Sequence, residues 1–140
     1  MRNTVPKLGF VGRLTGLKHL DGLIESLDTL RSEPWNLEIV GDGEERESLE
    51  QLTHEKNLSE RIHFLGQKSH DWIMKKFYPT VDIFINPSLQ EGLPTGVIEA
   101  LGMGCQVIAT DVGGTCEIDG IVCIPANNTT ALTDAIRAGL

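Results

Sequence analysis

The segment Pro87-Ser88-Leu89-Gln90-Glu91-Gly92-Leu93-Pro94-Thr95-Gly96-Val97-Ile98-Glu99-Ala100 concentrates groups able to hold a polar ligand. Gly92 lets backbone amides approach a bound group, and a helix opening at Pro94 or Thr95 would offer unpaired N–H groups and a positive dipole end. That combination suits phosphate. Glu99 falls about one turn into such a helix, since ~3.6 residues complete a turn. Its carboxylate would repel phosphate, yet it can accept two hydrogen bonds from a ribose diol, as the acidic residue of dinucleotide-binding folds does. Glu91, in the loop before the helix, would stand on the other side of the phosphates and accept hydrogen bonds from further hydroxyls. A glutamate near a helix start commonly does no more than face water and complement the dipole. For Glu99 alone that plain reading is the better one. Glu91, the Gly-Leu-Pro bend and the Pro-Ser strand exit together favour a site.

Positioning these groups requires a scaffold, and the chain alternates short apolar runs with amphipathic stretches, the pattern of βα units around a mostly parallel sheet. Strands are expected at Leu8 to Val11, Leu37 to Val40, Ile62 to Leu65, Asp82 to Asn86, Gln106 to Thr110 and Gly120 to Ile124, apolar on successive residues as if covered on both faces. Leu20, Leu23, Ile24, Leu27 and Leu30 repeat at the spacing of one helix face. A second helix is expected from about Glu44 to Lys56, with Leu49 and Leu52 inward. Ser69 or Asp71 would cap a short helix carrying Trp72, Ile73 and Phe77, with Pro79 just after its end. Pro94 suits the first turn of the next helix, which runs to about Met103. A last helix begins near Asn128 and turns Leu132 and Ile136 inward. The fold class is therefore α/β: a Rossmann-like, doubly wound, mostly parallel six-stranded sheet. In that arrangement ligands sit beyond the carboxyl ends of the strands, where strand order reverses. The loops to watch are Gly12 to Lys18 after the first strand and Pro87 to Thr95 after the fourth.

At 140 residues the chain makes one domain. A net charge of −8 argues against nucleic-acid binding, because phosphate backbones are held by clustered Lys and Arg. A single nucleotide needs only one or two placed cations. No apolar run approaches the ~18 residues of a transmembrane segment, and the first residues do not read as a secretory signal, so the expected location is cytoplasmic. Three Asn-x-Ser/Thr sequons carry little weight in that setting. Cys105, Cys116 and Cys123 show no CxxC spacing and read as free thiols, with Cys123 buried in a strand. There is no Asp-x-Asp, and His19, His54, His63 and His70 lack ligand spacing, so no metal site is expected.

The run Glu-Gly-Leu-Pro-x-x-x-x-Glu-Ala, followed by Gly-x-x-Val-Ile-Ala-Thr-Asp-Val-Gly-Gly, resembles the C-terminal, donor-binding domain of retaining glycosyltransferases of the GT-B fold, the large group called glycosyltransferase group 1 or GT4. Val11-Gly12-Arg13-Leu14, Ile39-Val40-Gly41-Asp42-Gly43 and Phe64-Leu65-Gly66 fall in family order, and the likeness runs from Phe10 to about Ile136. The resemblance implies a UDP- or GDP-linked sugar as substrate, with no separate cofactor, and transfer of a hexose to a glycan or lipid-linked acceptor. It puts Arg13 and Lys18 on the donor diphosphate, Glu91 on the transferred sugar and Glu99 on the ribose. The base is expected against Leu65, Gly66 and Gln67. Gly12 and Gly41 belong to the donor-binding set, and the amides of Gly92, Leu93, Pro94 and Thr95 form the phosphate and sugar cradle. Arg13 and Lys18 would stabilise negative charge growing on the leaving phosphate, Arg with fork-like contacts and Lys as a point charge. Taken singly, both are ordinary solvated cations.

His19 follows Lys18 where the family usually has glycine, and the stretch between Glu117 and Gly120 is shorter than the family's loop. The acceptor-binding N-terminal domain is expected to be missing and the C-terminus to be truncated, leaving a fragment inactive alone. The full-length enzyme could lie peripherally at a membrane. The rival readings are a non-catalytic nucleotide-binding module, another GT-B enzyme such as a sugar-nucleotide epimerase, and an NAD-binding domain. The last lacks its Gly-x-Gly-x-x-Gly turn, the first loop being Gly12-x-x-x-Gly16.

Overall fold

The computed structural model describes residues 5–92 and 94–140. Six parallel strands form one sheet in the order β3-β2-β1-β4-β5-β6. They are β1 (Lys7–Val11), β2 (Asn36–Val40), β3 (Ile62–Gly66), β4 (Ile83–Asn86), β5 (Gln106–Thr110) and β6 (Ile121–Ile124). The chain winds outward from β1 to β3, then returns to β1's other side to lay down β4 to β6. The doubly wound expectation is thus met, with the reversal between β1 and β4.

Successive residues of the inner strands point to opposite faces, and both faces are covered. Ile83, Ile85 and Ile108 belong to one core, with α1 (Leu20–Thr29), α2 (Arg46–Glu55) and α5 (Thr129–Gly139). Phe84, Val107 and Ala109 belong to the other, with α4 (Thr95–Gly102) and the segment beginning at α3 (His70–Trp72). α1 turns Leu20, Leu23, Ile24 and Leu27 inward as the spacing requires, and Leu30 is buried just past its end. Asn128 caps α5 by accepting from the Ala131 N–H at 2.9 Å. Burial on this scale, at roughly 25 cal/mol per Å² of apolar surface, holds the strand ends in place for the site.

Three expectations are corrected. The outer strands are not covered on both faces: His63 of β3 and Val122 and Cys123 of β6 are exposed, each strand being an edge of the sheet with a neighbour on one side only. Cys123 is consequently not buried, and Cys116 and Cys123 are not free thiols. They form a disulfide with Cα atoms 5.7 Å apart, because the short turn Thr115–Glu117 brings the chain after β5 back against β6; Cys105 is the buried free thiol. The short helix expected after Ser69 is irregular. Ser69 Oγ accepts from the Trp72 N–H, then a π turn over Ile73–Phe77 passes into a 3₁₀ turn over Tyr78–Thr80 that contains Pro79.

Candidate functional site

Two cavities open at the carboxyl ends of β1, β2 and β4, and both are bordered by Val11, Gly12, Lys68 and Ile73. The larger, about 350 Å³, is lined by Lys18, Asn86, Glu91, Pro94, Thr95 and Glu99, among others. The smaller, about 230 Å³, is lined by Arg13, Gly41, Asp42 and Gln67. The loops singled out from sequence therefore meet at the switch point, as strand topology requires.

Pro94 precedes α4 rather than sitting in its first turn. Its φ of −81° and ψ of 63° are not helical, its carbonyl accepts from the Ile98 N–H, and no side chain caps the helix. The first turn of α4, whose N–H groups have no partner within a helix, belongs to Thr95, Gly96 and Val97, which line the larger cavity.

Glu91 is held by side chains from three places. Lys18 Nζ lies 3.3 Å from each of its oxygens, Asn86 Nδ2 donates to Oε2 at 3.0 Å, and Ser88 Oγ lies 3.0 Å from the same oxygen. Ser88 has one hydrogen to share between Glu91 and Asn86 Oδ1, 3.1 Å away. The Glu91 side chain is 9% exposed and that of Lys18 23%, so the pair is screened less than a surface ion pair. Thr110 Oγ1, at the end of β5, donates to the Ser88 carbonyl at 2.6 Å and pins the strand exit. Gly113 closes the support from behind: with φ at 55°, its Cα lies so near the Glu91 carbonyl that any Cβ would overlap that oxygen.

Glu99 stands across the larger cavity on α4. Its Oε1 accepts from Tyr78 Oη at 3.1 Å, and its Oε2 lies 2.7 Å from His70 Nε2. Burial foremost, then the Glu99 charge, pushes the Tyr78 phenol well above its ordinary value, so it remains a hydrogen-bond donor.

The smaller cavity is built by backbone packing. Gly41, at φ 138°, presses so closely on Gly12 that a Cβ would overlap the Gly12 carbonyl oxygen, while its N–H donates to the Gly66 carbonyl at 2.9 Å. At its rim the Gly43 N–H, the Arg46 guanidinium and more distantly Arg13 hold the Asp42 carboxyl below its usual range.

Most sequence-predicted site residues thus converge, with four qualifications. Arg13 and Lys18 line different cavities, because the turn over Gly16–Lys18 carries Lys18 toward Glu91 while exposed Arg13 stays beside Asp42. Leu65 packs into the core and Gly66 braces Gly41, so Gln67 is the residue of that trio lining a cavity. Gly92 is an exposed bend, and Leu93 lies outside the described residues. Sequence reasoning missed Asn86, Ser88, Lys68, His70 and Tyr78. Asn86 was discoverable as a polar residue ending an apolar strand. His70 and Tyr78 belong to a distant element and leave no local signal.

A model of the family described as glycosyl transferases group 1 matches residues 5–140. This chain belongs to that family. An uncharacterized glycosyltransferase of Methanocaldococcus jannaschii is 34% identical over 124 residues, which cover 84% of this chain and 32% of that protein. A putative teichuronic acid biosynthesis glycosyltransferase of Bacillus subtilis is 35% identical over 111 residues, 79% of this chain and 26% of that one. Among solved structures, sucrose-phosphate synthase from Thermosynechococcus elongatus superposes with a TM-score of 0.88 at 27% identity, over 99% of this chain and 37% of that chain. This group 1 domain therefore spans between 26% and 37% of the length of these relatives, and its Rossmann-like sheet matches GT-B glycosyltransferase structures. Among its described residues, no helix is long and apolar enough to cross a membrane.

Proposed function

We propose that this group 1 domain is the donor-binding, C-terminal half of a retaining, metal-independent glycosyltransferase that takes a hexose from a UDP- or GDP-sugar. The observation that carries the reading is the pair of carboxylates around the cavity at the start of α4, with Lys18 bound to one of them. The base lies in the smaller cavity against Gly41 and Gln67, and Glu99 accepts from the ribose hydroxyls. The diphosphate rests on the first N–H groups of α4, and Glu91 accepts from hydroxyls of the sugar.

Lys18 explains how a carboxylate can stand beside a diphosphate: its ammonium offsets the Glu91 charge. As the glycosyl bond breaks, charge on the leaving phosphate grows, and a cation already in place stabilises that state more than the ground state. Arg13, exposed on the wall of the smaller cavity, turns toward the diphosphate when the donor binds and supplies a second cation, so the reaction needs no metal. The acceptor, a glycan or a lipid-linked molecule, is brought by a second domain in the longer protein, which works in the cytoplasm and peripherally at the membrane.

Thermal-shift titration of the chain with UDP, GDP, their sugar conjugates and NAD tests the reading. Stabilisation by a UDP or GDP compound, larger with the sugar attached, is expected. Stabilisation by NAD alone would overturn it.

A further inference from the structure

Glu99 has two partners of opposite character. His70 is 72% exposed by its side chain and approaches Oε2 from the open side of the cavity. Tyr78 is 1% exposed and reaches Oε1 from within the core. Its ring packs edge-on to Phe84 with centroids 5.8 Å apart and tilts on Phe77 at 5.9 Å. Its carbonyl accepts from the Val81 N–H and faces Cys105 Sγ at 3.5 Å. The phenol is thus fixed by its surroundings, whereas the imidazole can leave.

The backbone that delivers it is unusual. Tyr78 follows the π turn Ile73–Phe77, so Phe77 and Tyr78 are both buried although adjacent. Single π turns inside helices are frequent at functional sites. A glutamate side chain has three rotatable bonds, and a half-open one would sample several orientations. A charge-assisted bond from a fixed donor removes most of that freedom. It leaves the lone pairs of Oε2, and the second of Oε1, directed at the cavity.

We infer that Tyr78 is a positioning residue that orients the Glu99 carboxylate and thereby sets the site's preference for ribose over 2′-deoxyribose, with His70 the partner that ligand hydroxyls displace. The inference rests on the reading that Glu99 holds the ribose.

Calorimetric titrations with UDP and 2′-deoxy-UDP, and with GDP and 2′-deoxy-GDP, test it on the wild-type chain, Tyr78→Phe, Glu99→Gln and the double variant. Wild type prefers the ribonucleotide, and Tyr78→Phe lowers that preference by about fivefold or more, the scale of one hydrogen bond to a charged group. Affinity for the deoxynucleotide, which keeps one of the two hydroxyls, falls by less than that for the ribonucleotide. The double variant differs from Glu99→Gln by less than Tyr78→Phe differs from wild type, because the neutral amide oxygen of Gln accepts from the phenol more weakly than a carboxylate does. A tyrosine with only a packing role would weaken both nucleotides alike and leave the ratio unchanged, which overturns the inference while Glu99 keeps its role. A wild-type chain with no preference for ribose overturns the Glu99 reading and the inference with it.

Discussion

Lys18 Nζ sits 3.3 Å from both carboxylate oxygens of Glu91, and the two residues reach each other from opposite sides of the switch point, one after β1 and the other after β4. The pair ties together two loops that strand topology only brings near. Removing Lys18 leaves the mostly buried Glu91 with Asn86 and Ser88 as partners, which offset the loss in part. Lys18→Met is expected to lower unfolding free energy by about 1–2 kcal/mol, less than for a fully isolated buried charge. Lys18→Met with Glu91→Gln should cost less than the sum of the singles, with a coupling of about 0.5–3 kcal/mol in urea denaturation. Strict additivity would mean that the two charges do not interact.

The two glutamates should separate in binding. Glu99→Ala is expected to weaken nucleotide and nucleotide sugar alike, by about tenfold, the worth of a charge-assisted contact. Glu91→Ala should leave the nucleotide nearly unaffected and abolish the extra affinity contributed by the sugar. Isothermal calorimetry with nucleoside diphosphate and nucleotide sugar reads both. Unchanged binding in the two variants would remove their assigned roles.

Gly113 shows how far support for a site can lie from its chemistry. It is left-handed and in backbone contact with the residue that carries the carboxylate, so Gly113→Ala must both strain its own φ and push Glu91 forward. The expected loss is about 2–4 kcal/mol of stability, together with weakened sugar binding. Gly92→Ala is the control. Nothing lies within 4 Å of a Cβ there, and the change should stay within about 0.5 kcal/mol.

His19 occupies a position where the family resemblance leads one to expect glycine, and the backbone shows why: φ is 57° and ψ is 38°. A methyl built on Gly22, in α1, would lie 2.5 Å from His19 Cε1, so the imidazole also covers that glycine. His19→Gly relieves about 1 kcal/mol of left-handed strain and opens the space over Gly22, against some added entropy of the unfolded chain. Adding Gly22→Ala in that background should stabilise by about 1 kcal/mol through helix propensity. In wild type the same Ala must first displace the imidazole and should gain less. Equal effects of Gly22→Ala in both backgrounds, by thermal denaturation, would show that His19 is not the constraint.

What was legible in sequence follows from range. Apolar runs and turn residues are local, so all six strands, the doubly wound class and the two switch-point loops could be read. The central strands behave as the runs imply; β3 and β6 do not, because burial on both faces depends on neighbours that a strand's own residues do not specify. Glu91 and Glu99 were visible because one loop and one helix carry both. The contacts they make were not: Lys18 was legible as a cation for the diphosphate, but its pairing with Glu91 spans the sheet reversal, and Tyr78 arrives through a π turn that no propensity marks. The Cys116–Cys123 bond escaped for the same reason, since the turn over Thr115–Glu117, and not the spacing, closes it.

Tyr78 also supplies a spectroscopic test, being the chain's one tyrosine. Burial first, then the neighbouring Glu99 charge, raises its pKa above the ordinary value of 10.0. The unfolded chain therefore gives up the phenolic proton at lower pH than the folded chain does. Stability from the neutral, hydrogen-bonded phenol is complete below about pH 10 and declines as pH rises beyond it, because there the unfolded state binds fewer protons than the native state. Phenolate absorbance should stay flat through pH 10 in the native protein, then rise together with loss of helical circular dichroism. In Glu99→Gln the second cause is removed and burial remains. The phenol should then titrate at lower pH than in wild type, yet still above the ordinary value. A simple one-proton curve centred near pH 10 with the fold intact would show that Tyr78 is neither buried nor engaged by Glu99.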